Sequence, residues 1–128
     1  MPALLPFDYA VIRVVPRVER GEFVNVGIVL FSSALGVLQA SIDLDEERLL
    51  ALEPNVDLKA IHDALSTIPA ICAGGAAAGA IGRLTPRERF DWLVAERSTC
   101  IQMSPVHAGL CADTASELTK LLDRMVRI

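Results

Sequence analysis

Arg13, Arg17, Arg20, Glu22 and Asn25 fall close together in a stretch, residues 9–32, that is otherwise intensely apolar and rich in β-branched side chains. Arginines grouped in this way suit bidentate capture of a carboxylate or phosphate. Glu22 would orient them or act as a base. Asn25 stands in an apolar run and needs partners for its amide. Two readings follow. In the first, the five side chains line a polar pocket at the end of a sheet and hold a phosphorylated or carboxylated small molecule. In the second, Arg20 and Glu22 pair across a turn and Asn25 ties down a neighbouring loop. Exposed pairs of that kind contribute only about 0–1 kcal/mol. A pattern at this level does not choose between them.

Other chemistry finds less support. His107 and Cys111 stand four apart with Cys100 nearby, but no CxxC or HExxH spacing accompanies them, and Pro105 and Gly109 predict a loop there, so no metal is expected. No GxSxG, P-loop or GxGxxG occurs; Gly74, Gly75, Gly79 and Gly82 lack the strand and lysine that phosphate binding requires, so no cofactor is expected. Ser32, Ser33 and Ser104 have no histidine close in sequence. His62 lies in a helical pattern and reads as a surface residue. Trp92, beside Phe90, reads as a core or dimer contact rather than a base-stacking platform.

The elements that must position these residues begin with strands at 7–15, ended by Pro16, at 22–32 and at 37–42. The connector 17–21 and the turn 33–36 are short, which predicts an antiparallel meander. Strict alternation places Glu22, Val24, Val26, Ile28 and Leu30 on one face, and Phe23, Asn25, Gly27, Val29 and Phe31 on the other. Both faces are largely apolar, so this strand is central and covered on both sides, by helices and by a second subunit. Gly27 admits a bulge or the close approach of another backbone. Arg13 aligns with Tyr9 and Val11, and a buried guanidinium there needs an anion or several carbonyls.

Helices follow. Asp43 and Glu46 resemble a capping box for a helix ending before Pro54. Asp57 caps a second, with Leu58, Ile61, Leu65 and Ile68 on one stripe and Pro69 kinking or ending it. Residues 70–82 are small and glycine-rich, either a loosely packed helix or a mobile loop. Thr85-Pro86-Arg87-Glu88 starts a third helix that turns Phe90, Leu93 and Val94 inward. A short fourth strand is expected at 100–103. Asp113 or Thr114 opens the last helix, with Leu118, Leu121, Leu122, Met125 and Val126 as its buried stripe. The fold class is α+β, a three- to four-stranded mostly antiparallel sheet with helices packed mainly on one face, and residues 1–128 form a single domain.

Composition sets the outer bounds. Hydrophobic residues make up 52% and charged ones 22%, which excludes a disordered chain. The net charge of −4 leaves no positive field for non-specific nucleic-acid or anionic-lipid binding. No membrane span is expected, because no apolar run reaches 18 residues, and residues 1–6 lack a basic leader. Three cysteines without close pairing fit reduced thiols in a cytoplasm.

Residues 9–16 (YAVIRVVP), 20–27 (RGEFVNVG) and 85–90 (TPRERF) resemble the bacterial family catalogued as domain of unknown function 3037. The resemblance covers nearly the whole chain and brings no catalytic residue with it. It implies a kinase-like protein as partner and a toxin–antitoxin or regulatory setting. The expected function is therefore that of a small, cytoplasmic, non-enzymatic accessory protein that binds a protein partner or itself as a homodimer. The alternative is an enzyme or ligand-binding domain using the Arg/Glu/Asn pocket.

Overall fold

The computed structural model describes residues 3–128. Met1 and Pro2 lie outside the described residues, and part of the leader reading at 1–6 lies there with them. The strands are β1 (Leu5–Val14), β2 (Val24–Ser32), β3 (Val37–Ile42), β4 (Ile101–Met103) and β5 (His107–Cys111). The helices are α1 (Glu46–Leu52), α2 (Leu58–Ala73), α3 (Pro86–Val94) and α4 (Thr114–Met125). A kinked 3-10 segment, Ala76–Arg83, occupies most of the small-residue tract, with non-helical Gly79 at its break.

Every strand pairing is antiparallel, in the order β3-β2-β1, and β4 and β5 share the outer edge of β1. The α+β class stands, and the sheet has five strands rather than three or four. The additional strand is β5, where Pro105 and Gly109 predicted a loop. Pro105 falls in the gap between β4 and β5, where an edge tolerates it. Ser104 carries the ladder across that gap: its N–H donates to the Val11 carbonyl (2.9 Å), and its hydroxyl accepts from the Val11 N–H (2.8 Å).

Two apolar layers flank the sheet. On one side Ile12, Val14, Val24, Val26, Val29 and Phe31 pack with residues of α1, α2 and α3, among them Leu49, Leu65 and Phe90. On the other, Phe7, Val11, Ile28 and Leu30 lie beneath Leu121, Leu122 and Val126 of the α4 end. Helices thus sit mainly on one face, and α4 supplies the opposite cover of β2 for which a second subunit was expected.

Strict alternation fails in the middle of β2, for a physical reason. The register pairs Ile12 with Gly27 and Arg13 with Asn25, so Val26 is an extra residue in a β-bulge. Val24 and Val26 therefore share a face with Val29 and Phe31, while Ile28 and Leu30 face α4. Gly27 permits this, because a Cβ there would stand 2.6 Å from the Ser41 carbonyl oxygen of β3.

The helix starts follow local chemistry. Asp45 rather than Asp43 caps α1, accepting from the Arg48 N–H, while Asp43 pairs with Arg127 at 2.7 Å. Asp57, Thr85 and Asp113 cap α2, α3 and α4, and Thr85 and Glu88 complete a capping box. Pro69 does not end α2, which runs on to Ala73. No single helix among the described residues is long and apolar enough to cross a membrane.

Replacing Gly27 with Ala drives a methyl group into backbone rather than into a flexible side chain. A loss of roughly 1–3 kcal/mol is expected, read as a lower urea midpoint at unchanged m-value.

Candidate functional site

The five polar residues singled out in sequence separate into two groups. Arg17 pairs with Glu19 at 2.9 Å and Arg20 with Glu22 at 2.5 Å, all four side chains about half exposed on the β1–β2 connector. Arg13 and Asn25, register partners on adjacent strands, share the α4 side of the sheet beyond the helix end. The Asn25 amide donates to the Met125 carbonyl, the last residue of α4, at 3.0 Å. The Arg13 guanidinium lies 4.1 Å from the Phe23 ring centroid, a cation–π contact. Its Nε and the Asn25 Oδ1 are buried without a protein partner. The bulge accounts for this placement, since it turns Asn25 towards α4 rather than into the α1–α3 core.

Other arginines meet the carbonyls that helix ends leave unpaired. Neither α2 nor α3 carries a basic residue in its last turn. Arg89, from α3 and only 9% exposed, donates through Nη1 to the Ile71 and Cys72 carbonyls at 2.7 Å each, and through Nε to the Leu84 carbonyl at 3.1 Å. Gly74 makes room for it: the residue has φ 73°, and a Cβ there would stand 2.9 Å from Arg89 Nη1. Arg48 donates to the Val126 carbonyl beyond α4 at 2.8 Å. Arg97 donates to the Leu93 (2.7 Å), Ala95 (3.2 Å) and Trp92 carbonyls at the end of α3.

Arg97 also lines a largely apolar concavity. Its guanidinium stacks on Trp92 at 4.4 Å, and Trp92 remains 41% exposed. Below the pair lies a hollow of about 300 Å³ walled by Ile68 and Ile71 of α2, Leu93 of α3, and Ile101 and Met103 of β4. In sequence Trp92 fits only a core or dimer contact. The walls come from three elements far apart in the chain, and no local pattern announces them.

The remaining titratable groups do not converge. His62 pairs with Glu46 at 2.7 Å, both exposed, and His107 packs on Tyr9 with ring centroids 5.4 Å apart. No group of three metal-ligating side chains exists among the described residues. Ser104 spends its hydroxyl on the β1 ladder. Burial pushes the Cys72 thiol up to about 11 against a smaller opposing effect of Arg89, and burial, Glu117 and Asp113 raise Cys111. Both thiols are therefore protonated and inert at neutral pH.

The contrast between buried and exposed arginines is measurable. Arg89→Met strands the carbonyls of Ile71, Cys72 and Leu84 and is expected to lower stability by roughly 2–4 kcal/mol, whereas Arg20→Ala changes the urea midpoint little, as an exposed pair should. For the thiols, iodoacetamide on the native chain at neutral pH is expected to label Cys100 and spare Cys72 and Cys111 until denaturant is added. Because the folded Cys72 value lies above the ordinary 9.0, its contribution to stability is complete below pH 9.0 and is lost as pH rises through about 11.

No curated protein sequence and no solved structure matches the chain. A family model does, over residues 9–126, so both the bulged RGEFVNVG strand and the TPRERF helix start fall inside the matched region. The chain belongs to the family described as Protein of unknown function (DUF3037).

Proposed function

We propose that this chain is a non-enzymatic accessory module of the bacterial cytoplasm that binds a protein partner, and that the Trp92–Arg97 hollow receives one apolar anchor side chain of that partner. The observation that carries the reading is the preorganised, half-exposed Trp92–Arg97 pair above an apolar hollow of about 300 Å³. Tryptophan and arginine are the side chains most enriched at binding hot spots. Here the guanidinium is already fixed by three carbonyls, so little freedom remains to be lost on binding. The hollow has room for one large side chain. The first partner to test is the kinase-like protein implied by the family resemblance. The alternative, a pocket for a phosphorylated or carboxylated small molecule, retains only Arg13 and Asn25 as converging members, because Arg17, Arg20 and Glu22 are paired on the connector.

Trp92 is the one tryptophan of the chain, so its emission reports directly on the hollow. Titration with the kinase-like protein is expected to shift that emission to shorter wavelength. Trp92→Ala, with unchanged far-UV circular dichroism, is expected to weaken binding by about thirtyfold, the scale of a hot spot near 2 kcal/mol. A complex that forms with unaltered emission and with full affinity for Trp92→Ala moves the partner off the hollow. Absence of any complex sinks the accessory reading.

A further inference from the structure

β3 is a free edge. It pairs only with β2, and no backbone or side-chain hydrogen bond reaches residues 37–42 from any other element among the described residues. A free edge presents a row of unpaired N–H and C=O groups, which proteins commonly blunt with lysine, proline or a bulge. The opposite edge is blunted: β4 has three residues, β5 five, and Pro105 stands between them. β3 runs six residues, VLQASI, without charge or proline. It forms the floor of a cleft of about 440 Å³, walled by Pro69, Cys72 and Ala73 of α2 on one side and Ala115 and Leu118 of α4 on the other.

We infer that a second copy of this chain fills this cleft, its β3 antiparallel to the first about a two-fold axis, so that the two sheets become one. A two-fold contact sets a patch against itself, and any charge near the axis then faces its own kind. The chain carries a net charge of −4, yet none of the residues lining this cleft is charged. Two identical acidic molecules can meet here without like charges opposed.

The strand is also complementary to itself. Leu38, Ala40 and Ile42 face the α2 side, so Gln39 and Ser41 face the α4 side. Pairing that preserves the faces, with the axis at Ala40, sets Leu38 against Ile42 of the second copy and Ala40 against Ala40. The same register sets Gln39 against Ser41, an amide against a hydroxyl. The register thus opposes apolar to apolar and polar to polar, with Ala40 on Ala40 neutral, and like charges placed there would be destabilising. The small residues Ala73 and Ala115 at the cleft walls leave room for the incoming backbone. This contact shares no lining residue with the Trp92 hollow, so the two assignments stand or fall separately.

Sedimentation equilibrium of the full chain is expected to give twice the 13.8 kDa chain mass. The double variant Gln39→Lys/Ser41→Lys should sediment at the single-chain mass with an unchanged thermal melt. Mixing it with Gln39→Glu/Ser41→Glu should restore the doubled mass, which a merely unfolded variant would not do. If either variant fails to fold, amide exchange of residues 37–42 in the unaltered chain decides, because a dimer slows that exchange as concentration rises. A single-chain mass for the unaltered protein, a dimer indifferent to the lysines, or exchange at 37–42 independent of concentration overturns the inference. Protection of those amides only by a different protein gives the cleft to that protein and overturns it as well.

Discussion

Two helices of this protein, α2 and α4, end on carbonyls that side chains brought from elsewhere in the chain close, while α3 is closed by Arg97 just beyond its own end. Four carbonyls at a helix end lack intrahelical partners, and the helix dipole makes that end attractive to a cation. Arg89 meets this demand for α2 in a nearly buried setting, where an unpaired guanidinium would be intolerable and an unpaired carbonyl costly. Its other bond, to the Leu84 carbonyl, fixes the lead into α3. One side chain therefore sets the end of α2, the return of the glycine-rich segment and the start of α3. Val26, Leu65, Phe90 and Leu93 belong to one layer, which depends on that geometry.

The bulge in β2 does the corresponding work on the other face. Were the same residues to alternate regularly, with no bulge at Val26, Asn25 would point into the α1–α3 layer, an amide among valines and leucines. With it, the amide reaches the last carbonyl of α4, and Arg48 takes the next one. The helix that covers Phe7, Val11, Ile28 and Leu30 is thus tied at its end to a central strand and to α1. Gly27 is the steric condition of the arrangement, because β3 passes where its side chain would be.

Which of these features were legible in sequence follows from the distance along the chain over which each acts. The N-caps are local: Asp45, Asp57, Thr85 and Asp113 each accept from an N–H two or three residues ahead, so Asp57 and Thr85 are legible directly and Asp113 as one of two neighbouring candidates. The pairing of Arg20 with Glu22 spans two residues and was open to the same reading. The C-terminal closures span 17 and 18 residues for Arg89, 78 for Arg48 and 100 for Asn25. No periodicity encodes such a reach, so nothing local marks Arg48 or Arg89, and Asn25 fits a pocket and a tie to a neighbouring segment equally well in sequence. β5 was obscured for a related reason: Ser104 repairs the ladder around Pro105 through a contact 93 residues away. The Trp92 hollow needs walls from α2, α3 and β4 at once, and a single tryptophan in a sequence does not specify them.

This internal use of arginine also bears on how the molecule meets others. Arg48, Arg89 and Arg97 are committed to carbonyls, Arg17, Arg20, Arg87 and Arg127 to carboxylates, and Arg13 to an aromatic face. Freeing any of them for an external anion would expose a carbonyl, an acid or a ring that it now covers. Those eight side chains are therefore poorly placed to seize an external anion. Burial contributes roughly 25 cal/mol per Å² of apolar surface removed from water. Such surface is gathered where Trp92 overhangs Ile68 and Met103, and where β3 lies open between α2 and α4. The same economy that uses cations to close helices leaves the β3 cleft lined without charge, and leaves the Trp92 hollow with one cation, Arg97, already held by carbonyls.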